Sequence, residues 1–203
     1  ALTKNTFKNL EFSNSNRMTL EGTVNKTIIA LLLLFFSASY SYSNANTSFV
    51  WMGFIIGFVL AIVTIFKKEW APYTVPFYAI FEGLALGGIS YVYASMYTGI
   101  VQQAIFLTFG IFGSLLFAYK TRIIKPTENF KLGLFAATGG IFLVYMVSFI
   151  MSFFGSGLSI MNPGNSSLIS IGFSLFVVII ASLNLVLDFD FIEEASEIGA
   201  PKY

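Results

Sequence analysis

The residues best suited to chemistry are carboxylates that lie in or beside strongly apolar stretches. Glu82 lies inside VPFYAIFEGLALGG, and Asp188 and Asp190 lie in NLVLDFDFIEE, where another apolar stretch ends. A charge in the hydrocarbon core costs about 3 kcal/mol on insertion scales, so such a residue usually faces protein or water and marks a path for protons or ions. These acids therefore predict proton- or ion-linked chemistry.

The composition restricts that chemistry to carboxylates. The chain has no histidine and no cysteine, which excludes cysteine nucleophiles, Ser-His-Asp machinery, zinc sites with His or Cys ligands and a histidine pH switch. No lysine lies inside an apolar stretch to activate a serine, and GLALGG is not followed by the Lys-Ser/Thr pair of a phosphate loop. We therefore expect no enzymatic activity and no cofactor.

Six long apolar stretches must position these acids. Hydrophobic residues make up 56% of the 203 and charged residues only 10%, against about 25% charged in an ordinary soluble domain. The predicted fold class is all-α, a polytopic transmembrane helix bundle, since about 20 apolar residues cross the hydrocarbon core as a helix. The six predicted spans are 26–46, 48–66, 75–97, 100–119, 131–155 and 167–188.

The predicted domains are an N-terminal arm over 1–25, the transmembrane bundle over 26–192 and an acidic segment over 193–203. The arm is polar and rich in Asn, Ser and Thr, and TLE at 19–21 is a candidate start for a short interfacial helix. A basic lead followed by IIALLLLFF and then SNA also resembles a signal peptide. A first membrane span is favoured because the lead is long and five more spans follow.

The basic residues predict an orientation. All 11 fall at connections on one side of the predicted spans, and the opposite connections YSNANT, YTG and GSGLSIMNPGNSS carry none. Because short loops rich in Lys and Arg stay in the cytoplasm, the N-terminus is predicted to be cytoplasmic. The basic residues are Lys4, Lys8, Arg17, Lys26, Lys67, Lys68, Lys120, Arg122, Lys125, Lys131 and Lys202.

Closely spaced glycines indicate close helix packing in the spans. Small residues four apart share a helix face and let two backbones approach. A hinge or a pore-lining role is the alternative interpretation. The candidates are Gly53 with Gly57, Gly83 with Gly87, Gly110 with Gly113, and Gly139 with Gly140.

Glu82 has two interpretations. With a span beginning near Val75, it lies about 10 Å deep, because a helix rises about 1.5 Å per residue. It is either a neutral carboxyl hydrogen-bonded to a neighbouring backbone or hydroxyl group, or part of an ion- or proton-linked site inside the bundle. Acids inside a membrane favour the second interpretation.

Asp188 closes the sixth predicted span and shares a helix face with Asn184, four residues earlier. The rest of that stripe is embedded in the membrane, so Asp188 and Glu82 are the predicted proton- or ion-sensing residues. Asn184 and Asp190 are lesser candidates. Asp190 points to a different face and, with the glutamates that follow, is typical of a solvated acidic end of a helix.

Three strings in the chain carry a family resemblance. MTLEGTVNKT, TIFKKEWAPYTVPFYAIFEGLALGGIS and LVLDFDFIEEASEIGAPKY, taken in this order between Met18 and Tyr203, are similar to the Bax inhibitor-1/YccA-like family of multi-spanning membrane proteins, in its bacterial branch. The resemblance implies a helical bundle in the bacterial inner membrane, with one central span, and a pH-sensitive calcium leak. The signature acid of the sixth span in the family matches Asp188, and an acid on an early span is similar to Glu82.

The resemblance also implies a seventh span that carries a partner acid, whereas the chain ends at Ala-Pro-Lys-Tyr and starts at Ala1. We expect the partner acid to lie in a longer form of the protein. Two carboxyls held together in a low dielectric cannot both ionise cheaply, so a shared proton would close the pore. Loss of that proton would leave two anions that attract a divalent cation, which makes calcium the expected metal near Asp188 and the expected permeant ion.

A second function class is a non-conducting membrane partner. The same resemblance implies a modulator or substrate of a membrane-anchored AAA protease, and the hydrophilic arm at 1–25 is long enough for a cytoplasmic machine to grasp. The expected partners are therefore membrane lipids together with calcium or another cation, or a membrane protease or larger membrane assembly. No nucleic-acid partner is expected.

Overall fold

The computed structural model describes residues 17–45, 47–124, 126–155, 157–161 and 164–202. In these ranges six helices are long and apolar enough to cross a membrane and no strand is present, which confirms the all-α polytopic fold class. The basic residues Lys4, Lys8 and Lys125 lie outside the described residues. The helices are α1 (Leu20–Ser43), α2 (Ser48–Phe66), α3 (Ala71–Met96), α4 (Ile100–Lys120), α5 (Glu128–Phe153) and α6 (Leu168–Glu197).

The first helix begins earlier than the apolar pattern alone suggests. Thr19 caps α1, because its Oγ1 accepts a hydrogen bond of 3.1 Å from the backbone N–H of Gly22. Glu21 in the first turn adds a favourable charge at the positive end of the helix dipole. The TLE string therefore opens the first long helix itself, at Leu20 rather than near residue 26.

The ends of α5 and α6 also differ from the predicted spans. Thr127 caps α5 by accepting a hydrogen bond of 3.3 Å from the N–H of Phe130. This cap brings Lys131 into the first turns of the helix. Helix α6 continues past 188 to Glu197, so Asp188 and Asp190 stand on one continuous helix rather than at its exit.

The chain forms two compact units. The α1–α3 unit comprises the residues up to Phe106 together with those from Ile192 onward, and the α4–α6 unit comprises Leu107–Phe191. Within the α1–α3 unit, Arg17 and Pro201 form an isolated antiparallel bridge. The N–H of Met18 donates to the carbonyl of Ala200 at 2.7 Å. The segment before α1 is thereby tied to the segment after α6.

Helix α3 packs closely against α1 through its glycines. A Cβ added at Gly83 would overlap the Ser37 hydroxyl and the Leu34 carbonyl, and one added at Gly87 would overlap the backbone of Ala38. Only a residue without a side chain permits this approach, which confirms the packing role predicted for both glycines.

Helix α2 packs against the other side of α3. A Cβ added at Gly53 would overlap the Phe81 carbonyl and lie 2.8 Å from the Ala85 nitrogen. Between α1 and α3, the fully buried Ser41 donates its hydroxyl proton to the Leu84 carbonyl at 2.8 Å. The α1–α3 unit is therefore held by backbone contact and a buried hydrogen bond between helices.

The α4–α6 unit is built on larger side chains. The ring of Phe189 on α6 lies 5.6 Å from that of Phe112 and 5.8 Å from that of Tyr119, both on α4. Tyr145 of α5 and Phe173 of α6 have ring centroids 6.4 Å apart. No described atom lies within 4 Å of a Cβ added at four glycines of this unit, so the packing role predicted for them is not seen there: Gly110, Gly113, Gly139 and Gly140.

Candidate functional site

Glu82 lies deep in α3 and faces α2. It stands about 16 Å from the start of the helix at Ala71, at about 1.5 Å per residue. Its Oε2 atom is 3.3 Å from the position that a Cβ on Gly57 would occupy. Because Gly57 has no side chain, the carboxylate lies against the backbone of α2.

Tyr78 completes the surroundings of Glu82. It precedes Glu82 by one helical turn, and its ring atom Cε2 lies 4.0 Å from the same Cβ position on Gly57. Among the described residues Glu82 has no hydrogen-bond partner, so the contacts in this part of the chain do not provide the partner that a hydrogen-bonded neutral carboxyl would need.

Asp188 is an exposed carboxylate of the α4–α6 unit. Its side chain is exposed on α6. Within the described ranges no hydrogen bond or ion pair is made by Asp188. The carboxylate that the sequence ranks first is therefore accessible.

Asp190 is not the solvated carboxylate that the sequence suggests. Its Oδ2 lies 2.6 Å from the Nζ of Lys131 on α5, and its side chain is only 25% exposed. The Tyr119 hydroxyl of α4 makes a longer contact of 3.5 Å to Oδ1. The acid near the end of α6 is thus bound to both neighbouring helices of its unit.

Sequence reasoning missed Lys131 and Tyr119 as partners of an acid. Lys131 was assigned to a basic connection by its local position alone. The available signal was the string PTENFK, in which Thr127 and Glu128 predict a helix start. That start places Lys131 inside a helix, where its ammonium needs a partner.

Asn184 joins two helices. Its Nδ2 donates to the Thr138 Oγ1 of α5 at 3.0 Å and to the Ile180 carbonyl of its own helix at 2.9 Å. Amide and hydroxyl pairs of this kind are common between membrane helices. Asn184 therefore contributes to α5–α6 packing one turn before Asp188.

The acids do not form a ready-made metal site. In the described ranges no three His, Cys, Asp or Glu side chains are grouped closely enough to hold a metal ion. Calcium near Asp188 stays a prediction. Glu82 belongs to the α1–α3 unit and Asp188 to the α4–α6 unit.

The described residues form six apolar helices, of which α3 carries Glu82 and α6 carries Asp188, and these define a multi-pass membrane protein. The family model described as Bax inhibitor 1 like matches residues 1–203, the whole chain, and the chain belongs to this family. No curated protein matches the chain significantly. No solved structure does so either.

Proposed function

We propose that this protein is a cation leak channel, with calcium as the permeant ion, whose conduction is controlled by protonation of Asp188. The observation that carries the proposal is the pair of acids Glu82 and Asp188, both on helices long and apolar enough to span a membrane. Neither acid has a hydrogen-bond partner among the described residues. Inside a membrane protein, an acid without such a partner is suited to binding a proton or a cation.

Protonation would control the leak through charge. A neutral Asp188 offers no site to a divalent cation, whereas its carboxylate is a hard oxygen ligand of the kind that calcium prefers. Glu82 is a second acid in an apolar helix, and acidic side chains favour cations over anions. The leak therefore rises with pH as Asp188 loses its proton.

The proposed location is a bacterial inner membrane with the N-terminus in the cytoplasm. The restriction of basic residues to one set of connections supports this orientation. The proposed activity is conduction rather than catalysis, because the chain has no histidine or cysteine to serve as a nucleophile or base.

Calcium flux into liposomes tests the proposal. The full-length protein is reconstituted into liposomes that contain a fluorescent calcium indicator. Calcium flux is recorded across a pH series for the parent, Asp188→Asn and Glu82→Gln. We expect flux that rises with pH in the parent, loss of that rise in Asp188→Asn and a several-fold lower flux in Glu82→Gln. Glu197→Gln is the matched control, because Glu197 is an exposed acid at the last position of α6.

Flux equal to that of empty liposomes at every pH would reject the proposal. A parent that leaks while Asp188→Asn keeps the full pH response would reject Asp188 as the sensor. In either case Glu197→Gln must match the parent, since a loss there would indicate a general effect of removing charge.

The second candidate is a non-conducting partner or substrate of a membrane-anchored AAA protease. The hydrophilic N-terminal arm favours it, and the bridge from Arg17 to Pro201 defines where the arm can be cut without disturbing the described contacts. Deleting residues 1–16 should leave calcium flux intact if the protein conducts. Loss of protease binding or of degradation in the same variant would support the partner function.

A further inference from the structure

We propose that Asp190, Lys131 and Tyr119 form a clasp that positions Asp188 and restrains the leak; this inference rests on the proposed function. The clasp joins the three helices of the α4–α6 unit near one end. Its members come from α6, α5 and α4 respectively. None of them was a sensing residue in the proposed mechanism.

The ion pair of the clasp is stronger than an ordinary surface pair. The Lys131 Nζ to Asp190 Oδ2 distance of 2.6 Å is slightly below the usual range of about 2.7–2.9 Å for a charge-assisted N–H···O hydrogen bond. The two side chains are only 31% and 25% exposed, so water screens their attraction less than it screens a fully exposed pair. The contact is therefore able to hold α5 and α6 together.

Aromatic packing fixes the same segment of α6 from the side of α4. Tyr119 is 8% exposed, and its ring contacts Phe189 while its hydroxyl reaches Asp190. Phe112 also contacts the Phe189 ring, in an edge-to-face arrangement. Two consecutive residues of α6 are thus held by neighbouring helices.

This anchoring sets the direction of Asp188. Successive residues of an α-helix are turned by about 100°, so Asp188 points about 160° away from Asp190. While Asp190 is held against α5 and α4, the side of α6 that carries Asp188 is fixed, and its side chain stays exposed. If the clasp opens, the part of α6 around Asp188 is released from α4 and α5, and Asp188 loses its fixed position.

The clasp is tested by neutralising each charge in the full-length protein in liposomes. Asp190→Asn and Lys131→Met each remove the ion pair, so we expect a several-fold higher calcium leak at every pH, still rising with pH because Asp188 is intact. Glu128→Gln is the matched control, since Glu128 also approaches Lys131, at 3.8 Å, but is 88% exposed. It should leave the leak unchanged.

A charge exchange separates positioning from general damage. Lys131→Asp combined with Asp190→Lys re-creates an ion pair with reversed charges and should return the leak towards the parent value. A merely structural loss at either position would not be rescued by the second substitution. If the exchanged protein leaks as much as each single variant, the clasp is rejected.

Amide hydrogen exchange, measured by mass spectrometry on peptides covering 184–191, tests the clasp without any flux. Exchange should be several-fold faster in Asp190→Asn than in Glu128→Gln. Equal exchange in the two variants overturns the clasp. Faster exchange with no calcium flux in any variant, the parent included, supports the clasp and overturns the proposed function instead. Faster exchange with an unchanged leak overturns the link between the clasp and conduction.

Discussion

The α1–α3 unit and the α4–α6 unit solve helix packing in different ways. Gly53, Gly83 and Gly87 bring backbones into contact in the first unit, whereas larger aromatic and charged side chains join the helices of the second. Contacts between backbones leave little room for rearrangement, because neither chain can move aside. Contacts between long side chains can break and re-form. We therefore expect the α1–α3 unit to be the more rigid of the two and the α4–α6 unit to contain the element that moves.

The same division applies to the two candidate acids. Glu82 lies against Gly57 in the rigid unit, and Asp188 stands exposed on α6. A fixed acid is suited to binding or selecting a cation. An exposed acid on a helix held by breakable contacts is suited to sensing a proton and changing position.

The largest expected effect comes from filling a glycine at a backbone contact. Gly83→Leu forces a side chain into the Leu34 carbonyl and Ser37, so we expect a loss of about 3 kcal/mol in the free energy of unfolding, or failure to fold. Gly140→Leu, where the described structure leaves 4 Å of open space, should change stability by less than about 1 kcal/mol. Thermal unfolding in detergent measures both. Similar losses in the two variants would remove the distinction between the units.

A smaller effect on stability but a clear effect on flux is expected at Gly57. In Gly57→Val the new side chain pushes the Glu82 carboxylate from its place against α2. We expect a several-fold lower calcium flux, approaching that of Glu82→Gln. The control is Gly113→Val, which replaces a glycine with open space around it and should keep the parent flux. Parent-like flux in Gly57→Val would mean that the position of Glu82 is unimportant.

One hydrogen bond between helices in each unit allows a finer comparison of the two units. Ser41→Ala removes a fully buried hydrogen bond in the rigid unit and should cost about 1 kcal/mol. Asn184→Ala removes the bond to Thr138 in the second unit and should cost about 0.6 kcal/mol, the usual size for such bonds in membrane helices. The free energies of unfolding of both variants are measured in a denaturing detergent. A larger cost at Asn184 than at Ser41 would contradict the assignment of rigidity.

Local pattern predicted the helices well and their partners poorly. Six apolar stretches give six helices, since length and composition alone decide whether a segment can span a membrane. The glycine spacing correctly identified Gly83 and Gly87 as sites of close helix packing. Glycines with similar spacing in α4 and α5 have no neighbouring helix within 4 Å among the described residues. Glycine spacing shows that another helix could approach closely, but it does not show that a helix lies there.

The clasp shows the same limit for charged residues. Asp190 and Lys131 are far apart in the sequence, and each looks like a solvated residue beside the end of a span. Their pairing depends on the cap at Thr127 and on the continuation of α6 to Glu197. Shifts of a few residues in those helix boundaries decide whether each charge lies in a loop or in a helix contact.

The most direct test of the account compares the two aspartates of α6 in one preparation. Calcium flux is measured across a pH series for Asp188→Asn and Asp190→Asn in matched liposomes. We expect Asp188→Asn to lose the rise of flux with pH, and Asp190→Asn to leak more than the parent and keep that rise. Identical behaviour of the two variants, or a full pH response in Asp188→Asn, would contradict it.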